Sequence, residues 1–451
     1  MRNLATRCTL SYLRFLARLA LKLHKPYIIG IAGSVGKSSA RNALYSILKD
    51  VAPTRVVGNS ETGIPLGILG ITPQGYSKKD WGRMLLRAPL GLNYLKNTTY
   101  LIAEMGIDEP YPPKNMEYLL TICQPRISID LNAEATHTMQ FEKLLTPEIR
   151  QQFPGEKEQL LYLRQKIADE DSKMFKHAET IIYNADDPLI VNTLKTNRRN
   201  GAKVSLKFGK DKTNTASYEQ YDIDLNGTKI TLNFTDKKKL ALFFPFLLPK
   251  VYEQTLAAVS LAAITLGIPL EKIKTSLETN FVLPKSRSNL LSGIRDSIII
   301  DSSYNASKTA TIAFLDLVLE LKAKSARQVV FLFGDMRELG KGARMEHREV
   351  AERLVGIVDY LYLVGPLTRE YVLPIIQEHE SRFKEVRWFH SNKNAGEYLK
   401  DNLPKGAIVL VKGSQNTIFL EETVKYLLKN KADVSKLCRQ EPYWLNLKKG
   451  V

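Results

Sequence analysis

One six-residue segment constrains this chain more than any other: Gly33-Ser34-Val35-Gly36-Lys37-Ser38. It lies between a short apolar run, Tyr27–Ala32 (YIIGIA), and a stretch with helical periodicity through Ala40, Ala43, Leu44, Ile47 and Leu48. A strand that ends in a glycine loop and runs into a helix collects backbone N–H groups and the positive end of a helix dipole at one point, which suits phosphate. The first glycine of the full G-x-x-x-x-G-K-S pattern is replaced by Ile31, leaving a shorter loop whose physics is retained. Residues 33–39, including Val35 and Ser39, therefore read as a cradle for ATP. Lys37 faces the β- and γ-phosphates, and Ser38 offers its hydroxyl to Mg²⁺.

Further apolar runs end, like the first, in polar residues. They are 99–103 (TYLIA) before Glu104, 126–131 (RISIDL) before Asn132, and 180–183 (TIIY) before Asn184-Ala185-Asp186-Asp187. Short apolar strands alternating with helical stretches predict a mostly parallel α/β sheet with its ligands at the strands' carboxyl ends. Between 203 and 243 the pattern turns to alternating patches, 221–225 and 229–234, about the turn signal Asn226-Gly227, as in a β-hairpin elaboration. Helical periodicity returns at 253–266, and Pro284 with polar neighbours marks a linker at 282–288. Beyond it, 297–300, 328–333, 360–364 and 408–411 are strands of a second α/β unit. With 451 residues, three segments are expected: a basic N-terminal helix (1–26), a P-loop central domain (27–282) and a Rossmann-like α/β domain (283–451).

The net charge is +18, from 65 basic and 47 acidic residues, and it is spread along the chain with no nucleic-acid motif beside it. Only residues 1–25 organise it: Arg14, Arg18 and Lys22 stand four apart with no acidic residue near. Arg14 and Arg18 also break the apolar run, which excludes a membrane span or a secretory leader. The segment is either an interfacial helix in weak peripheral contact with anionic lipid or, as favoured, a helix packing its apolar side on its own domain. Cys8, Cys123 and Cys438 are too scattered for a disulfide framework or structural zinc, so a cytoplasmic monomer is expected.

Glu104 and His137 each follow a strand, and a carboxylate and an imidazole beside a triphosphate suit a divalent metal; either alone is an ordinary loop residue. A series of motifs joins them: GIAGSVGKSS, NSETGIPLGIL, IAEMG, Asn132 with His137, NADDP at 184–188, DSSYNAS at 301–307, GDMRELG at 334–340 with His347, and VKGS at 411–414. In this order they resemble the Mur ligases, most closely the D-alanyl-D-alanine-adding branch, from about residue 27 to beyond 424. Folylpolyglutamate synthases share the phosphate loop.

The resemblance implies an amide ligase. ATP phosphorylates a substrate carboxylate, an amine attacks the acyl phosphate, and phosphate leaves; the protein's task is alignment and charge neutralisation. It implies Ser38, Glu104 and His137 around Mg²⁺, with Lys37 and Arg287 on the nucleotide phosphates. Asn59, Ser60, Glu61 and Asn132 would face the peptidoglycan precursor, and Tyr304, Asn305, Asp335 and Lys412 the second substrate. Four departures stand out. No uridine-binding domain precedes the phosphate loop. The family's carbamylated lysine aligns with Asp171, with Lys166 the other candidate. A nucleotide-contacting aspartate aligns with Ser302, leaving Asp301 one position early. Gln254 stands where an adenine-contacting asparagine is usual. The alternatives are the same chemistry on a polyglutamate-like or lipid-linked acceptor, or a nucleotide-binding scaffold without catalysis. Phe243, Phe244 and Phe246 read as hairpin packing. The stretch 439–444 with Lys448 and Lys449 reads as a solvated tail that docks Trp444.

Overall fold

The computed structural model describes residues 4–73, 75–134, 138–196, 204–414 and 417–448. They form two compact units, the first made of residues 1–219, 231–242 and 253–282, the second of 220–230, 243–252 and 283–451.

The first sheet contains β1 (Tyr27–Ala32), β2 (Thr54–Val57), β3 (Tyr100–Glu104), β4 (Ile127–Asp130), β5 (Thr180–Asn184), β6 (Val204–Gly209), β7 (Ala216–Asp224), β8 (Gly227–Phe234) and β9 (Lys239–Phe244), in the order β2-β3-β1-β4-β5-β6-β7-β8-β9. The pairs from β2 to β6 are all parallel. β1 is central, between β3 and β4, so the loop leaving it opens where strand order reverses, the place at which open α/β sheets bind ligands. The Asn226-Gly227 signal is a tight turn: the Asp224 carboxylate accepts Asn226 N–H at 2.7 Å and Gly227 N–H at 3.2 Å. Phe244 is buried beside Phe246, whereas Phe243 is exposed.

Five helices of this unit matter below: α1 (Leu4–His24), α2 (Lys37–Leu48), α3 (Gly63–Ile68), α4 (Lys78–Arg87) and α5 (Met116–Leu120). Leu13, Leu16, Ala17 and Ala20 of α1 enter one core with Ile64, Leu66, Met84 and Ala88. The helix thus packs its apolar face on its own unit. Arg14 leaves the expected basic face: its guanidinium lies over the Tyr118 ring of α5, 5.3 Å from the centroid. No described helix is long and apolar enough to cross a membrane.

The second sheet contains β10 (Asn289–Ser292), β11 (Ile298–Ser302), β12 (Val329–Gly334), β13 (Tyr360–Val364), β14 (Glu385–Phe389) and β15 (Ile408–Lys412), ordered β10-β11-β15-β12-β13-β14. All pairs are parallel except β10 with β11. β12 shows why a continuous apolar run signals a central strand. Val329, Phe331 and Phe333 enter one core layer and Val330 and Leu332 the opposite one, so neither face admits a polar residue. β2, β10 and β14 are edge strands with few buried side chains, and their apolar signal is correspondingly weak.

Candidate active site

The phosphate loop is shaped by its neighbours. Gly33 has φ of 129°, and a Cβ there would lie 3.1 Å from both Asn132 N and Leu131 Cβ, so only glycine lets β1 turn this close to the β4 loop. Asn132 holds the turn from the other side. Its Oδ1 accepts Val35 N–H at 2.9 Å, its Nδ2 donates to Val35 O at 3.1 Å, and its carbonyl accepts Ser34 N–H at 2.8 Å. The side-chain amide thereby braces the loop on both sides of Val35. Ser34 Oγ likewise accepts Glu134 N–H at 2.8 Å. Thr255 Oγ1 lies 3.8 Å from where a Cβ on Gly36 would sit, which places Gln254's helix beside the loop.

α2 begins at Lys37, preceded by Gly36 at φ 87°, which offers no side-chain cap, and Ser39 is buried in its first turn. Those N–H groups are the anion-binding end of the helix. Lys37 Nζ folds back onto Gly33 O at 2.5 Å and Ser34 O at 3.3 Å. Ser38 Oγ donates to Glu104 at 3.0 and 3.2 Å, and Arg41 Nη1 meets the same carboxylate at 3.0 Å. Arg41 was missed in the sequence; its spacing of three from Ser38 on a helix is the signal that could have found it. Asn59 is exposed and Ser60 and Glu61 are half-buried, in the loop after β2. That loop lies against the end of β3, since a Cβ on Gly106 would be 2.5 Å from Asn59 O. His137 lies outside the described residues.

Beneath the loop lies a carboxylate pair of which the sequence suggested one member. Asp130, the last residue of β4 and paired with Ala32, is fully buried with no hydrogen-bond partner on either oxygen; Asp171 Oδ1 is also unpartnered. Burial, then Asp171 and Asp187, hold the Asp130 carboxyl well above the usual range, and Lys37 opposes them. Burial likewise pushes Asp171 up to about 7 against the pull of Lys37. A carboxylate in the buried strand ISID was the available sequence signal. Lys166, the other candidate beside Asp171, turns away: it is partly exposed, pairs with Asp169 at 3.3 Å and lies over the Tyr162 ring.

The second unit has its own cluster at the strand ends. Lys412 Nζ donates to Asn305 O at 2.9 Å and Ser302 Oγ at 3.3 Å. It is buried, and burial with Arg287 nearby lowers its pKa to about 7. Asp301 is buried too, accepting Ser286 Oγ–H at 2.6 Å and Ser303 N–H at 3.1 Å; burial raises its carboxyl. Ser286 and Ser288, at φ 54° and 74°, bracket Arg287, whose guanidinium lies over the Tyr304 ring, 4.6 Å from the centroid. Asp335 is buried and accepts Thr368 N–H at 2.9 Å. His347 stabilises the same loop. Its Nε2 accepts Met336 N–H at 3.0 Å, so Nδ1 carries the proton and donates to Ala343 O at 2.7 Å. Burial lowers this imidazole to about 4.

The expected solvated tail is exposed at residues 441–443 and 445–447, with Trp444 docked on the Phe419 ring and Lys449 outside the described residues, but its first residue is not solvated. Arg439 is buried, with Nη1 3.2 Å from the buried Glu421 carboxylate and Nη2 bonded to Tyr304 O; Lys448 reaches Glu422 at 2.7 Å. Aromatic rings of Tyr304, Phe419 and Trp444 surround the guanidinium and exclude water from it.

The first unit thus carries a phosphate loop at the switch point of a parallel sheet, and the second α/β unit carries a buried lysine–aspartate cluster. Residues 286–415 match the family model of the Mur ligase glutamate ligase domain. The chain's relatives are specific. The chain is 24% identical to the UDP-N-acetylmuramoyl-tripeptide–D-alanyl-D-alanine ligase of Buchnera aphidicola from Acyrthosiphon pisum, over 90% of this chain and 78% of the relative. It is 22% identical to that of Bacillus subtilis, over 94% and 80%. The fold matches the MurF ligase of Thermotoga maritima solved with ADP, with a TM-score of 0.71, 20% identity, and coverage of 95% of this chain and 84% of that one. A folylpolyglutamate synthase from the same organism scores 0.59 at 12% identity, covering 92% of each.

Proposed function

We propose that this chain is an ATP-dependent amide ligase of peptidoglycan synthesis that joins D-alanyl-D-alanine to a UDP-N-acetylmuramoyl-tripeptide-type precursor. The observation that carries the reading is the Ser38–Glu104 contact at the mouth of the phosphate loop, within a chain whose relatives carry that activity in their names.

Mg²⁺ fits this site by the chemistry of its donors. Ser38 and Glu104 offer hard oxygens, and Mg²⁺ takes one or two carboxylates plus substrate phosphates in place of an all-protein cage. Among the described residues no such cage exists. When bound, the ion would neutralise charge on the transferring phosphoryl group. The chain's own residues do the rest. The Lys37 ammonium exchanges the carbonyls of Gly33 and Ser34 for phosphate oxygens. The N–H groups at the start of α2 hold the triphosphate in place, and Asn132 keeps the loop from collapsing. The precursor's carboxylate oxygen attacks the γ-phosphorus as the bond to ADP breaks; the dipeptide amine then attacks the acyl carbon, losing a proton, and inorganic phosphate leaves. Tyr304, Asn305, Asp335 and Lys412 of the second unit serve the incoming dipeptide. The enzyme works as a cytoplasmic monomer.

The test is phosphate release from ATP, which should require both UDP-N-acetylmuramoyl-tripeptide and D-alanyl-D-alanine. Turnover with a glutamate-chain or lipid-linked acceptor, and none with this pair, refutes the assignment.

A further inference from the structure

We propose that the seam between α1 and the α4 segment docks on the face of an anionic lipid bilayer. The apolar face of α1 is unavailable for this, because Leu13, Leu16, Ala17 and Ala20 are already in the core. What remains is a flank. Tyr12 Oη donates to Leu85 O at 3.4 Å, and His24 Nε2 meets Leu92 O at 2.9 Å, so α1 runs alongside residues 85–92 in the same direction. Between these two anchors, large apolar side chains from both strips face outward: Phe15 is 64% exposed, Leu23 58%, Leu86 82% and Leu90 83%. Single exposed apolar residues are ordinary; four along one seam form a patch that needs an occupant.

The charge around them selects that occupant. Residues 4–25 contain no acidic residue, and residues 75–99 contain only Asp80, whose carboxylate is engaged by Ser77 in capping α4. Arg7, Arg18, Lys22, Lys79, Arg83 and Arg87 are all exposed along the two elements. Aliphatic side chains ringed by cations match a bilayer surface, where the former enter the headgroup boundary and the latter meet lipid phosphates. A second copy of the chain would bring the same cations against each other. A nucleic acid would engage the cations but leave Leu86 and Leu90 without an apolar partner.

The experiment is co-sedimentation of the full chain with phosphatidylcholine vesicles, with and without phosphatidylglycerol. Binding should require phosphatidylglycerol and weaken as salt is raised. The Leu86→Asp/Leu90→Asp variant should lose vesicle affinity by roughly tenfold or more while keeping the wild-type melting temperature and phosphate release. The proposal is overturned if the wild-type chain stays in the supernatant at low salt, or if the variant pellets as well as the wild type. It is overturned equally if light scattering shows a dimer that the two substitutions dissolve while vesicle binding is absent.

Discussion

Ser38 and Glu104, 66 residues apart, are joined by hydrogen bonds of 3.0 and 3.2 Å from one hydroxyl to both carboxylate oxygens. The contact exists because β1 and β3 are parallel neighbours in register, Ile31 opposite Glu104, so both chains release their polar residues at the same sheet edge. Glu104→Gln keeps the shape and removes the charge that a cation at this edge requires. Turnover should fall by about 100-fold, with ADP binding measured in EDTA unchanged; an active Gln variant would remove Glu104 from the metal site.

Asn132 separates two roles. As a brace of Val35 it acts on the nucleotide, so Asn132→Ala should raise the ATP KM by roughly tenfold, the cost of about two hydrogen bonds, and leave both other KM values as they were. A change confined to the muramoyl precursor's KM would restore Asn132 to the substrate side.

Asp171 and Lys166 give opposite expectations. Lys166 is partly exposed and paired with Asp169, so Lys166→Ala should keep turnover within about twofold. Asp171→Asn, which alters the charge set opposite Lys37, should lower kcat by about tenfold or more. Because an aspartate already carries the charge a carbamate would supply, turnover should not depend on added bicarbonate. Bicarbonate stimulation abolished by Lys166→Ala would reverse the assignment.

His347 makes stability pH-dependent. Its folded pKa of about 4 lies below the free value of 6.5, so between these the unfolded chain binds more protons and stability rises with pH. The contribution is complete above about 6.5 and is lost as pH falls towards 4, on the order of 3 kcal/mol in all. Denaturant unfolding across this window should show a steeper slope for the wild type than for His347→Gln, which retains an acceptor for Met336 N–H. Parallel slopes would show that the imidazole is not buried neutral.

Much was legible along the chain. Each buried parallel strand is a continuous apolar run, and the polar residue after it marks the ligand-facing edge, so β1, β3, β4, β5, β12, β13 and β15 were found to within a residue or two. Edge strands β2, β10 and β14 were missed because half of each faces solvent and no run forms. Two residues of the tail depart from the sequence reading for a related reason. Arg439 and Lys448 look like solvent residues until the structure supplies the buried carboxylate of Glu421, which sequence distance hides.

By itself, then, the sequence determined the phosphate loop, the parallel α/β plan and the order of the ligase motifs. These rest on local physics: glycine backbone freedom, helical and strand periodicity, and the polar punctuation of strand ends. Only the tertiary structure decided that Asn132 braces the loop, that Asp171 and not Lys166 lies opposite Lys37, that Asp130 joins it, and that α1 spends its apolar face on the core. Those outcomes depend on which of many chemically suitable side chains are brought within about 3 Å of each other, and that is fixed by packing between segments up to a hundred residues apart.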